Sequence, residues 1–140
     1  MLQRTFAIIK PDAVANHWEN AVMDRYRNAG LRIVRIYPAK LSRGRAKKFY
    51  EEHQGRFFFA GLALAMSSGR SIGLVLEGED AVARVRAMNG ATDPQNAEPG
   101  TIRRDFQSAG GPFNTVHGSD SPESAYREMV LFQTWFGRMD

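Results

Sequence analysis

His117 lies in the stretch Asn114, Thr115, Val116, His117, Gly118, Ser119, Asp120. A short β-favouring run there meets a glycine and then helix-starting residues, which predicts an imidazole at a strand-to-helix junction. Such junctions present side chains at the end of a sheet, and the helix N-terminus that follows offers free N–H groups and a positive dipole end. An imidazole so placed can sit beside an anion. A histidine side chain titrates at about pH 6.5 in model peptides, so at neutral pH one ring nitrogen is free to act as a nucleophile. The plainer reading, a half-buried histidine bonded to backbone, is commoner for any single histidine. His17 and His53 lack this setting.

Glu128 falls on the last helical pattern, on the stripe of Ser124, Ala125, Leu131 and Phe132 that should face the sheet. A carboxylate on an inward stripe needs a partner, and His117 is the group it would orient. A glutamate at the margin of the stripe, paired with lysine or arginine, is the alternative on spacing alone. Lys10, Arg56, Arg86, Thr92 and Arg103 fall at element ends or in loops, where a pocket draws its side chains. Arginine's planar fork fits phosphate with paired hydrogen bonds, although each such residue alone is more often a solvated charge. Tyr50 and the run Phe57, Phe58, Phe59 offer a base-stacking platform. An aromatic triplet is more often core, and at most one of the three is expected to touch a ligand. The chain contains no G-x-x-x-x-G-K-[ST], no G-x-G-x-x-G and no kinase-type H-R-D or D-F-G set. If it handles nucleotides, basic side chains and a covalent relay must replace the common phosphate loops.

The elements that would position these groups are legible from pattern. Residues 5–9 read as a buried strand that Lys10, Pro11 and Asp12 close. Residues 21–29 read as a helix with Val22, Tyr26 and Ala29 inward and Gly30 at its C-terminal cap. A second strand is predicted over 31–40, helices over 44–52 and 61–66, and a third strand over 71–77. A helix over 80–88 has Val82 and Val85 inward and Asp80 as its N-cap. Residues 90–111 lose periodicity and read as a long functional loop. A fourth strand over 114–117 is broken by Gly118. The last helix starts at Asp120 or Ser121, with proline in its first turn and capping-box spacing between Asp120 and Glu123. The order β-α-β-β-α-β predicts an α+β, ferredoxin-like (split βαβ) domain: a four-stranded antiparallel sheet with helices on one face and a long loop before the last strand.

The bulk properties fit that reading. With 140 residues, 43% hydrophobic and 11% aromatic, the chain suits a single globular domain spanning 1–140. It has no cysteine, which excludes disulfides and thiolate metal sites. No signal-like or membrane-length apolar run is evident, so a cytoplasmic protein is expected. The net charge of +4 points to a polyanionic partner, and the basic residues read as scattered singly, which favours a small pocket over a nucleic-acid track.

Taken together, the residues resemble a family. The stretch TFAIIKPDAV beginning at Thr5 and the stretch NTVHGSDS beginning at Asn114 are similar to the two signature segments of nucleoside diphosphate kinases. FYEEHQGRFFFAGL, MSSG, LEGEDAV, RAMNGATDP, EPGTIRRDF and SPESAYREM fall in the family's order, so the likeness spans essentially the whole chain. The resemblance implies a ping-pong transfer of the γ-phosphoryl from a nucleoside triphosphate, usually ATP, to His117 and then to a nucleoside diphosphate. It also implies that Glu128 orients the histidine, and that Lys10 and Asn114 meet the sugar hydroxyls and the transferring phosphate beside Tyr50. His53, Arg56, Arg86, Thr92 and Arg103 match phosphate contacts, and Phe58 matches the aromatic that stacks on the base. Mg²⁺ is expected on the nucleotide phosphates with no dedicated protein cage, and the family forms tetramers or hexamers. Some positions depart from the pattern: Phe57 stands for a usual proline, which leaves Phe57 and Phe58 both open as the stacking residue. Residues 16–20, Arg70, Ala91 and Asp93 also differ, and 107–113 is one residue longer, so the second base contact is unassigned.

Two other classes fit parts of the sequence. A nucleic-acid-binding protein without catalysis is motivated by the basic charge, with the expectation that any such binding is weak and non-specific. A self-assembly role is motivated by the aromatic content and by the apolar tail Phe132, Gln133, Thr134, Trp135, Phe136, an interface or the last core segment.

Overall fold

In the computed structural model, residues 1–137 are described; residues 138–140, the end of the expected 1–140 domain, lie outside the described residues. Four strands form one antiparallel sheet: β1 (Leu2–Ile9), β2 (Arg32–Ala39), β3 (Ser71–Glu79) and β4 (Val116–Gly118), in the order β2-β3-β1-β4. β1 lies opposite β3 with Ile8 against Gly73, and opposite β4 with Ile8 against His117. The ferredoxin-like order predicted from the sequence is the order observed.

β1 is central, and from Thr5 to Ile9 every residue is fully buried. A strand apolar at consecutive positions must be covered on both sides. Ala7 and Ile9 face α2 (Glu19–Asn28) and α5 (Ala81–Asn89), packing with Val22, Tyr26, Leu74, Leu76 and Val85. Phe6 and Ile8 face α3 (Arg43–Phe49), α4 (Phe59–Met66) and α7 (Pro122–Phe136), packing with Phe49, Val75 and Phe132. The expectation of helices on one face is therefore corrected: both faces are covered. Phe132 is fully buried at the centre of the second cluster, with Trp135 and Phe136 packed around it, so the apolar tail serves as core.

Local differences have local causes. Pro11 ends β1 and also opens a short helix, α1 (Pro11–Ala15), because a residue without N–H suits the first helical position. Gly30, at φ +87°, closes α2 with bonds from its N–H to the Arg27 carbonyl and from Leu31 N–H to the Tyr26 carbonyl; this turn carries Ala29 out to solvent rather than inward. The helix expected over 44–52 ends at Phe49 and gives way to a 3₁₀ turn, Glu51–His53. Within the long loop, Pro94–Asn96 forms a 3₁₀ turn and Ile102–Asp105 forms α6. β4 starts two residues late because Thr115 has φ +77°, outside strand geometry, and it takes in Gly118. Asp80 stands at the N-cap of α5 but makes no side-chain cap bond. Ser121, not the Asp120–Glu123 pair, caps α7: its Oγ accepts from Ser124 N–H at 3.0 Å.

The basic residues are not evenly scattered. Seven of them and no acidic residue fall between Arg32 and Lys48, six on β2 and α3 and Lys40 in the connection between them. No helix among the described residues is long and apolar enough to cross a membrane.

Gly73 sits where the Phe6 and Phe132 rings meet, with centroids 4.7 Å apart. A Cβ there would lie 2.7–2.8 Å from both rings. Gly73→Ala is expected to destabilise the fold by roughly 1–3 kcal/mol through overpacking, read as a lower midpoint in urea denaturation.

Candidate functional site

β4 is an edge strand, and beside it opens a cavity of about 780 Å³, within the size range of small-molecule sites. Its wall is drawn from β4, α5, the α3–α4 connection, the long loop and the end of β1. Of the residues singled out from sequence, it carries Lys10, Tyr50, His53, Phe57, Phe58, Arg86, Thr92, Arg103, Asn114, His117 and Glu128. Arg56 is not on this wall; its guanidinium stacks over the Phe58 ring, 5.5 Å from the centroid. Phe59 turns into the core. Both Phe57 and Phe58 reach the cavity, Phe57 with its ring 97% exposed.

His117 projects from β4 towards α7. Its Nε2 lies 2.7 Å from Glu128 Oε1, and Glu128 is almost fully buried. Ser119 Oγ stands 2.8 Å from the same carboxylate oxygen and 3.1 Å from the Phe6 carbonyl. A buried carboxylate accepts, so Nε2 carries the hydrogen; in the neutral ring the lone pair then lies on Nδ1, which has no partner among the described residues. Phe49 and Tyr50 bracket the imidazole edge-on, with centroids 5.2 and 5.7 Å away. Tyr50 in turn stacks on His53, and His53 packs against Phe58. Burial, reinforced by the Glu128 charge, pushes the Tyr50 phenol up, so it stays protonated and can only donate or pack. Ser119 was not singled out from the sequence, although its place two residues after the histidine was a usable signal.

Lys10 is buried, with Nζ donating to the Pro112 carbonyl at 2.6 Å and to Asn114 Oδ1 at 2.7 Å. Burial, only partly offset by the Asp12 charge, lowers its pKa to about 8, and Arg103 adds to the lowering. Asn114 passes the link on, its Nδ2 donating to the Thr92 carbonyl at 3.0 Å. Arg103 staples the loop: Nε donates to the Asn114 carbonyl at 3.2 Å, Nη1 to Gly90 at 2.8 Å and Nη2 to Val116 at 2.7 Å. Three of its five N–H groups are thus used internally and two remain. Burial draws the Arg103 pKa down from its usual value. Thr115 keeps its left-handed backbone because Asp12 Oδ2 accepts from its N–H at 2.9 Å and its hydroxyl donates to the Phe106 carbonyl at 2.5 Å.

The cavity therefore gathers four basic or imidazole groups, Lys10, His53, Arg86 and Arg103, around one imidazole with a free nitrogen, and an aromatic wall at the α3–α4 end. Two carboxylates, Glu52 and Asp120, also line it, while no group of three His, Cys, Asp or Glu able to hold a metal occurs among the described residues. A divalent ion carried by a polyphosphate fits such a wall, since it needs few protein ligands. Asn89, also unremarked in the sequence, completes the floor beside Gly118.

A family model described as nucleoside diphosphate kinase matches residues 3–138. The chain is 48% identical over 132 residues to a nucleoside diphosphate kinase of Methanocaldococcus jannaschii, covering 94% of each. It matches the solved nucleoside diphosphate kinase of Aquifex aeolicus with a TM-score of 0.91 at 38% identity, covering 94% of both chains. A halophilic nucleoside diphosphate kinase from Halobacterium salinarum, solved in complex with CDP, gives a TM-score of 0.88 at 36% identity, covering 94% of this chain and 88% of that one.

Gly90, at φ +88°, holds the carbonyl that Arg103 grips, and a Cβ there would lie 2.6 Å from Thr101 Oγ1. Gly90→Ala is expected to cost roughly 1–3 kcal/mol of stability, with faster amide exchange over residues 90–106 as the local readout.

Proposed function

The chain belongs to the nucleoside diphosphate kinase family, and on that premise we propose that its phosphoryl relay runs through His117. The observation that carries this assignment is the Nε2 bond to buried Glu128, which leaves Nδ1 as the unprotonated ring nitrogen in a cavity lined by cations. Nδ1 attacks the γ-phosphorus of a nucleoside triphosphate; the N–P bond forms as the bond to the β–γ bridging oxygen breaks, releasing a nucleoside diphosphate. A terminal oxygen of a second diphosphate then attacks the phosphohistidine, and the N–P electron pair returns to the imidazole. Both half-reactions use one site in turn.

Each neighbour has a part in this reading. Glu128 fixes the tautomer and balances the positive charge that builds on the ring, and Ser119 holds Glu128. Lys10, Arg86, Thr92 and Arg103 neutralise and position the phosphates, which is most of what phosphoryl transfer asks of a protein. His53 adds a phosphate contact, and Arg56 reaches the ligand from behind Phe58. Asn114 and Lys10 face the sugar and the transferring group, while Tyr50 holds the imidazole edge. Phe58 stacks on the base without reading its edges, so base identity matters little. The CDP bound by the Halobacterium salinarum relative supports a nucleotide in this cavity. Mg²⁺, held by the phosphates and assisted by Asp120, would neutralise charge on the β- and γ-oxygens.

We also read residues 1–140 as one domain, since a single sheet carries both core clusters, and we assign the enzyme a cytoplasmic setting where nucleotides are pooled. We read the chain as a homo-oligomer, tetramer or hexamer; the β2 edge, with Ile36 43% exposed, supports the pairing of two copies within it. The basic run on β2 and α3 would attract nucleic acid only weakly and without sequence preference.

With γ-labelled ATP, the protein is expected to acquire acid-labile, base-stable phosphate, and His117→Ala to acquire none; label on serine would refute the assignment. A second expectation concerns pH. Lys10 is cationic below about pH 8 and neutral above it, and phosphate binds the cation, so kcat/KM should fall as pH rises through that value. Lys10→Met should be slower throughout and lack this alkaline limb; if the limb persists in that variant, another group causes it.

A further inference from the structure

Asn89, the last residue of α5, is only 1% exposed yet forms part of the cavity wall. Its Oδ1 accepts from the Tyr26 hydroxyl at 2.5 Å, and Tyr26 is fully buried in the core between the sheet and α2. An amide is planar, so a carbonyl held by the tyrosine turns the NH₂ group the opposite way. That group has no acceptor among the described residues. It lies 2.9 Å from where a Cβ on Gly118 would stand, and the Arg86 Cγ is 3.8 Å from the same point. The floor of the cavity next to the nucleophile's strand thus carries a fixed neutral donor with nothing to donate to.

The sealed, unpaired side-chain atoms among the described residues are Thr5 Oγ1, Glu19 Oε2 and Ser71 Oγ; Asn89 Nδ2 is not one of them and opens on the cavity. Two apolar side chains of similar shape would fill the same space at almost no penalty. An acceptor arriving with the ligand takes the hydrogen bond that only solvent can otherwise supply. The donor shares its side of Gly118 with Arg86, and the next residue, Gly90, has its carbonyl held by Arg103; phosphate oxygens, which such cations attract, are acceptors only. We propose that Asn89 Nδ2 donates a hydrogen bond to a phosphate oxygen of the bound nucleotide, with Tyr26 as the positioning residue that sets the amide's direction. This inference rests on the family reading above. Burial pushes the Tyr26 phenol up, so its hydroxyl keeps its proton throughout the working pH range.

The test compares binding of ADP with binding of adenosine, which has the base and sugar but no phosphate, by calorimetry. Asn89→Leu should weaken ADP ~10-fold, the value of a hydrogen bond to a charged acceptor, and leave adenosine unchanged. Asn89→Asp, which sets a carboxylate against phosphate, should weaken ADP further. Tyr26→Phe should fall between wild type and Asn89→Leu, because the amide is present but free to turn. The double variant Tyr26→Phe/Asn89→Leu leaves no unpaired polar group at this pair, so it should fold even if Asn89→Leu does not, and should bind ADP no worse than Asn89→Leu. Unchanged ADP affinity in the Leu variants, or equal weakening of ADP and adenosine, would overturn the proposal and leave the pair a packing feature. Wild-type protein that fails to convert ATP and GDP into ADP and GTP would instead remove the phosphoryl-relay reading on which the inference rests.

Discussion

A single carboxylate, that of Glu128, sets the terms for the rest of the molecule. Removing an ion of this kind from water costs several kcal/mol unless partners compensate. His117 and Ser119 supply them, and both are carried by the segment that runs along β1. α7 can bury its inward stripe only if β4 lies where these two side chains meet the carboxylate. The packing of the last helix and the orientation of the imidazole are therefore one requirement. Changing Glu128 would disturb the tautomer and the helix together, so loss of activity in such a variant is not by itself a measure of catalysis.

Around that centre, basic side chains do two kinds of work. Arg103 spends three donors on loop carbonyls and keeps two, and Lys10 binds the Pro112 carbonyl and Asn114 from a buried position. The long segment between α5 and β4 has little regular structure of its own, and these cations substitute for it. Cations tied to backbone in this way are already oriented when an anion arrives, so less ordering entropy is lost on binding. By contrast, the run between Arg32 and Lys48 lies on β2, α3 and the connection between them, largely free of such ties to backbone.

Much of this was legible in the residues. The unbroken apolar run of β1, the glycine closing α2, and the histidine between strand and helix each reflect a local rule, and local rules survive folding. The failures share a cause. Pro11 reads as a strand stop, and the same missing N–H also makes it a helix start. Asp120 competed with Ser121 for one cap, and only the backbone angle at Ser121 decides between them. The split βαβ order predicts helices on one face, although residues 6–9, apolar at successive positions, already demand two. The pairing of Tyr26 with Asn89 and the carbonyls gripped by Arg103 depend on distant segments meeting in space, which no pattern along the chain records.

The two borders of the sheet are finished differently. Along β4 the outward carbonyl of Val116 is taken by Arg103, and the cavity occupies the flank; along β2 no strand, helix or guanidinium closes the row among the described residues. Another polypeptide can therefore continue the ladder from one side only. Joining two copies through that side would yield a continuous eight-stranded layer with a stapled border at each end, so this mode of growth terminates at a pair and cannot propagate into a fibre.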